Sequence, residues 1–287
     1  CPAGSSNPQQ IECGIQKYCP PASGSPVAIR PGYYGIGGTV TTFTGEAQCG
    51  PGTFCSNGEQ VQCLLGFFGS TFGLFDTSCD GPCEPGYYCP RGSTSPFQVE
   101  CGGSELFCGR QSGSPSTVQV GYYSVGNTPT NRTGEVPCEP GHYCIDGVRE
   151  QCPGGRYGED AQEVDPLCTG LCFGGYYCTP GSASATAQQC GGDDVYCPEG
   201  SSEPLAVGPG YYSSNGLSGR KASRTLCKKG QYCPGDGLEY LCPVGRFGNT
   251  TGLQDGNCTG TCNVGSFCEP GSQTAEGQRC PPGSYCL

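Results

Sequence analysis

The chain has 287 residues, of which 52 are Gly, 26 Pro and 27 Cys, and only 34% are apolar even with cysteine counted. Together with a net charge of −11, this excludes a conventional hydrophobic core and an ordinary cytosolic enzyme, whose compartment would keep the thiols reduced. The charge argues against nucleic acid and anionic membrane as partners, because both require Lys and Arg, and its plainest reading is solubility.

The chain opens with Cys1, Cys13 and Cys19. A first full set of eight follows: Cys49, Cys55, Cys63, Cys79, Cys83, Cys89, Cys101 and Cys108. Eighty-nine residues on, the set recurs as Cys138, Cys144, Cys152, Cys168, Cys172, Cys178, Cys190 and Cys197. It recurs once more as Cys227, Cys233, Cys242, Cys258, Cys262, Cys268, Cys280 and Cys286, offset by 89 or 90. The period divides the chain into 20–108, 109–197 and 198–286. Residues 1–19 match the end of a set, so they read as the remnant of a preceding repeat in a longer array. That reading also explains an odd cysteine count without a reactive thiol. Other positions keep the period: Gly32-Tyr33-Tyr34 returns as Gly121-Tyr122-Tyr123 and Gly210-Tyr211-Tyr212. The whole predicts a tandem, rod-like array in which each unit touches its neighbours.

Within the period, ten cysteine pairs are separated by five or six intervening residues, and each has Tyr or Phe before the second Cys, from Tyr18 and Phe54 to Phe267 and Tyr285. Seven carry Gly three residues after the first Cys, as in Cys49-Gly-Pro-Gly52, which predicts a Pro-Gly turn. The ring is then expected to cover a disulfide and form most of each small core. Gly or Pro interrupts every window of about a dozen residues, so no long helix is expected. The Gly-Tyr-Tyr segments, with Thr39–Phe43 after the first, predict short strands or hairpins. The fold class is therefore small disulfide-rich repeats, mostly loop with short β-hairpins.

Four bridges per period, at about 2–4 kcal/mol each, match the net stability of a whole domain. The favoured pairing links first to third and second to fourth: Cys49–Cys63, Cys55–Cys79, Cys83–Cys101 and Cys89–Cys108, with the same order in the later sets. Its main rival is Cys63–Cys79, with Cys49 pairing elsewhere.

The run Cys-x-Pro-Gly-x-Tyr/Phe-Cys, then Cys-x-x-Gly-x-Phe/Tyr-Gly, then the spacing Cys168-x-x-x-Cys172, resembles the ephrin-receptor-like cysteine-rich repeats, modules similar in style to EGF-like and TNF-receptor repeats. The resemblance covers nearly the whole chain. It implies a large secreted or cell-surface protein such as the mastigoneme subunits of algae and protists. The pairs at Cys13, Cys101 and Cys190 depart from it by lacking Pro-Gly.

Nothing in the sequence points to catalysis or a cofactor. The single His, His142, is replaced at equivalent positions by Thr53 and Gln231, and a catalytic group needs a partner and a pocket. Cys79-x-x-x-Cys83 and its copies suit disulfides better than zinc. The acidic groups Asp193, Asp194 and Glu199, and Glu159, Asp160, Glu163 and Asp165, lack a calcium-loop pattern and read as solvated surface. Asn131, Asn249 and Asn257 head N-glycosylation sequons, the last with Cys258 in the middle. Ser25-Pro26, Ser95-Pro96 and Ser114-Pro115 are weaker candidates for sugar. Arg220, Lys221, Arg224, Lys228 and Lys229 form a local basic cluster, readable as a lateral contact or as surface. The sequence-level expectation is a secreted structural glycoprotein that self-associates into a filament, hair or matrix, with no membrane insertion. An alternative is a receptor or adhesin ectodomain marked by one divergent repeat with an aromatic or Arg hot spot. Paired tyrosines, one inward and one outward, would supply regularly spaced contacts for a filament.

Overall fold

A computed structural model describes residues 11–283, together with Gly4 and Ser6. Cys1, Tyr285 and Cys286 lie outside the described residues. Among the described residues there is no helix, and the strands form fifteen two-stranded antiparallel hairpins. Five recur per period. In the first period they are Lys17–Tyr18 with Val27–Ala28, Tyr33–Ile36 with Gly45–Gln48, Thr53–Ser56 with Glu59–Gln62, Phe67–Phe68 with Gly81–Pro82, and Tyr87–Tyr88 with Val99–Glu100. The lines drawn after Cys19, Cys108 and Cys197 each fall between the two strands of a hairpin, as with Leu106–Phe107 and Ser116–Thr117. The described residues form two compact units, one within Cys1–Pro137 with Ile145–Val148, the other within Cys138–Cys144 with Arg149–Leu287.

The strands form where the sequence places its rings and β-branched residues between glycines. Each Gly-Tyr-Tyr enters a hairpin with strands of four residues or more, and Tyr122–Gly126 pairs with Arg132–Pro137 through a bulge at Val125 and Gly126. The segment after the first Gly-Tyr-Tyr behaves differently. Thr39–Thr42 is a turn, closed by Thr42 N–H donating to the Thr39 carbonyl at 2.9 Å, and it drops Phe43 into the interior. The returning strand begins only at Gly45.

The disulfides correct the expected pairing. Cys49 bonds Cys55 and not Cys63, while Cys63 bonds Cys79 and leaves Cys55 to Cys49. Cys83–Cys89 and Cys101–Cys108 replace Cys83–Cys101 and Cys89–Cys108. The second set repeats this as Cys138–Cys144, Cys152–Cys168, Cys172–Cys178 and Cys190–Cys197. The third set gives Cys227–Cys233, Cys242–Cys258 and Cys262–Cys268. Cys13 bonds Cys19, and Cys280 is also bridged. The reason is local geometry. The turn glycine folds the chain back within the loop and brings Cα of Cys49 to 5.9 Å from Cα of Cys55, inside the usual bridging range. One bridge per period, Cys63–Cys79 in the first, spans 16 residues and ties a hairpin end to the loop of the next hairpin.

The interior is sulfur rather than ring. Apart from cysteines, the buried apolar side chains among the described residues are Phe43, Phe54, Ala185 and Val207. Of the rings preceding second cysteines, Phe54 alone is buried; Tyr18, Tyr88, Phe107, Tyr143, Tyr177, Tyr196, Tyr232 and Phe267 are half-buried. The expected ring-on-sulfur core is thus an enclosed bridge with a ring leaning on its rim.

Within each unit, one glycine closes its own hairpin through its carbonyl and bonds to the next hairpin through its N–H. Gly66 N–H donates to the Cys89 carbonyl and its own carbonyl accepts from Cys83 N–H, both at 2.9 Å. In the other unit, Gly155 donates to Cys178 at 2.8 Å and accepts from Cys172 at 3.0 Å. Both glycines have positive φ, 82° and 83°. A Cβ on Gly66 would also overlap the Gln111 carbonyl, and one on Gly155 the Gly200 carbonyl. At Gly66 and Gly155 the hairpin therefore bonds to the next and lies flush against the one after it.

Candidate functional site

The features available for function are the bridged turns, the loops they anchor and the groups those loops expose. The long bridge is built the same way three times. Asp76, Asp165 and Asp255 stand three residues before Cys79, Cys168 and Cys258. Each Asp carbonyl accepts from its Cys N–H, at 3.0, 2.8 and 3.0 Å. Each carboxylate also accepts a backbone N–H two residues on: Ser78 at 2.8, Leu167 at 2.8 and Asn257 at 2.7 Å. The Asp76 carboxyl is held below its ordinary value by the backbone and hydroxyl hydrogen bonds of Ser78. The turn delivers the Cys in the left-handed region, φ 52°, 53° and 51°, at about 1–2 kcal/mol each. The next residue can then join the hairpin, as Asp80 N–H does with the Phe68 carbonyl. This Asp-x-x-Cys period was readable in the sequence, where Asp165 instead fell into an acidic cluster considered for metal.

The residue after that Cys caps the opposite end of the loop. Asp80 takes four hydrogen bonds, from the N–H and the hydroxyl of both Ser70 and Thr71. Its partial burial pushes the carboxyl up, but these donors together outweigh that and hold it below the ordinary value. In the second and third periods a hydroxyl takes over. Thr169 Oγ1 accepts from Glu159 N–H at 2.9 Å and Thr259 Oγ1 from Asn249 N–H at 3.1 Å.

The other acidic groups also serve their own backbone. Glu163 Oε1 accepts from Val164 N–H and Asp165 N–H, both at 3.0 Å, and Asp193 Oδ2 accepts from Ser218 Oγ at 3.2 Å. Among the described residues no three His, Cys, Asp or Glu side chains are placed to hold a metal ion. His142 Nδ1 lies 3.5 Å from the Pro140 carbonyl and 3.8 Å from Glu139 Oε1, and Arg149 engages the same carboxylate.

The basic cluster is partly committed. Arg220 donates to the Tyr176 hydroxyl at 3.1 Å, and Arg224 donates to the Val207 carbonyl at 2.8 Å while its guanidinium lies 4.4 Å over Tyr211. Arg30 occupies the same role in the first period, 4.0 Å over Tyr33, but comes from the opposite side of its hairpin and is paired with Glu46. Both members of every Tyr pair are half-buried.

The three sequons differ. Asn131 is half-buried, and its Oδ1 is enclosed with no hydrogen-bond partner against the backbone of Gly86. Asn249, Thr250 and Thr251 are exposed. Asn257 is exposed, beside the bridged Cys258. The first period has its own exposed feature. Phe72, Phe75 and Phe97 are 66%, 65% and 56% exposed, where the later periods carry Ala161 and Thr251, Val164 and Gln254, and Thr186 and Glu276. Sequence reasoning passed over this divergence, although comparing the repeats position by position reveals it.

No family model matches the chain. It is 24% identical to Cysteine repeat modular protein A of Toxoplasma gondii over 301 aligned positions, which cover 86% of this chain and 9% of that protein. The chain thus spans under a tenth of the length of the curated relative it matches. Among the described residues no helix is long and apolar enough to cross a membrane. The chain is a cysteine-rich, disulfide-stapled tandem repeat array.

Proposed function

We propose that the chain is a segment of an extracellular structural protein, an array of ephrin-receptor-like repeats that self-associates into a filament, hair or matrix of the mastigoneme kind and performs no catalysis. The observation that carries this reading is the sulfur interior: the buried side chains are almost all bridged cysteines. Such an interior persists only in an oxidising compartment. The similarity to a cysteine repeat modular protein supports the modular part. Self-association through the tyrosine pairs is favoured because the pairs recur once per period and remain half exposed. Electron microscopy of the purified, oxidised chain should show fibres or regular lateral assemblies. Changing Tyr34, Tyr123 and Tyr212 together to Ser should disperse them while the disulfides stay intact. Monodisperse particles before any substitution would refute self-assembly.

A second reading, a ligand-binding ectodomain, is favoured by one observation: the exposed Phe72, Phe75 and Phe97 of the first period. Under that reading, Phe72→Ser with Phe75→Ser abolishes adhesion to a target cell or protein and leaves assembly unchanged. Under the filament reading the same pair does not affect adhesion.

A further inference from the structure

The structure assigns N-linked glycan to Asn249 and makes Asn131 a packing residue that stays unmodified in the folded chain. This rests on the extracellular reading above only for where the sugar is added; the selection between sequons rests on geometry. Asn131 lies at the turn between Tyr122–Gly126 and Arg132–Pro137. Its N–H donates to Thr128 Oγ1 at 3.0 Å and its carbonyl accepts from Asn127 N–H at 3.2 Å, so the turn fixes its backbone. The amide is laid onto Gly86: a Cβ there would overlap Oδ1 and come within 3.0 Å of Nδ2. The sequon's hydroxyl is occupied as well, since Thr133 Oγ1 donates to the Val125 carbonyl at 3.3 Å. Gly86 is itself fixed, donating to the Cys108 carbonyl at 2.8 Å and accepting from Cys101 N–H at 3.0 Å. A sugar on Nδ2 would have to displace either this contact or the hairpin.

Asn249 has the opposite setting. It begins the loop that leads to the bridged Cys258, and only its backbone N–H is engaged, by Thr259. Asn249, Thr250 and Thr251 are all exposed. The modification joins Asn249 Nδ2 to the anomeric carbon of an oligosaccharide carried on a polyprenyl diphosphate. The diphosphate leaves and the amide loses one proton, with no oxidant or reductant needed.

The test uses the oxidised chain made in a bacterial periplasm, treated with a single-subunit oligosaccharyltransferase and lipid-linked sugar, before and after reduction. Peptide mass mapping should find Asn249 modified in the oxidised chain, Asn131 unmodified there, and both modified once the bridges are reduced. Thr251→Ala should remove the Asn249 glycan, and Thr133→Ala should leave the glycan pattern of the oxidised chain unchanged. Modification of Asn131 at the rate of Asn249 with all bridges intact overturns the assignment, as does an unmodified Asn249. Secretion from a eukaryotic host is a separate readout. A chain retained inside the cell with free thiols counts against the extracellular reading, and leaves the order of the two sites in the purified protein decisive for this one.

Discussion

Replacing Gly155 by Ala is expected to open its hairpin from the two that follow, while the same change at the equivalent Gly245 does much less. Both glycines have positive φ, 83° and 79°, so each substitution carries about 1–2 kcal/mol of backbone strain. Both bond to the next hairpin in the same way, with Gly155 N–H on the Cys178 carbonyl at 2.8 Å and Gly245 N–H on the Cys268 carbonyl at 3.0 Å. They differ in one respect. The new Cβ overlaps the Gly200 carbonyl at Gly155 and meets no described residue within 4 Å at Gly245. Relieving that overlap must stretch hydrogen bonds such as Gly200 N–H to the Cys172 carbonyl at 2.9 Å, at about 1 kcal/mol each. With two bonds disturbed, the excess at Gly155 is about 2 kcal/mol, or about 30-fold in the local opening equilibrium. Native-state hydrogen exchange at the amides of residues 155 and 245, which donate to the next hairpin's Cys178 and Cys268 carbonyls, reads it directly. Equal acceleration at the two amides would show that contact with the hairpin after next contributes nothing, and the packing argument would fail.

Acidification should loosen the 70–80 loop first. The Asp80 carboxyl lies below its ordinary 3.8, so its contribution is complete above that value and is lost as pH falls through the lower folded value. The Ser70 and Thr71 amides should then exchange faster, whereas the Asn249 amide, held by Thr259, should not; parallel behaviour would refute the carboxylate's role. Arg224→Ala should weaken the 211–226 hairpin by about 1 kcal/mol through lost stacking on Tyr211, measured by amide exchange at Cys227, whose N–H donates to the Gly210 carbonyl at 2.9 Å, and an unchanged rate would remove the stacking from the account. Non-reducing digestion should return Cys49–Cys55 and Cys63–Cys79 peptides in the first period, and recovery of Cys49–Cys63 would overturn the observed connectivity.

The period, the hairpins at Gly-Tyr-Tyr and the lack of long helix were legible because glycine, proline and ring positions act over a few residues. Connectivity was not. Spacing alone does not say whether a turn glycine brings Cys49 to Cys55 or presents both to cysteines further on; that depends on the φ of Gly52 and the hairpin register it sets. Asp76, Asp165 and Asp255 were visible as a repeat, yet their role as turn acceptors needs the left-handed cysteine three residues later. The sequons at Asn131 and Asn249 look alike as tripeptides. What separates them is Gly86, 45 residues upstream of Asn131 and invisible to any local pattern.

Because every bridge resolved here joins cysteines adjacent in the sequence, the chain can oxidise in the order in which it is made. At about 5–20 residues per second of synthesis, the second cysteine of a six-residue pair follows the first within about 0.3–1 s, and that of a 16-residue pair within about 1–3 s. Each thiol therefore meets its native partner before the next pair emerges. Disulfide formation takes seconds or longer, so several thiols coexist, but each native partner is the first one available among the many connectivities open to eight cysteines. Adding repeats adds no new pairing choices, so such an array can lengthen in evolution without becoming harder to oxidise correctly.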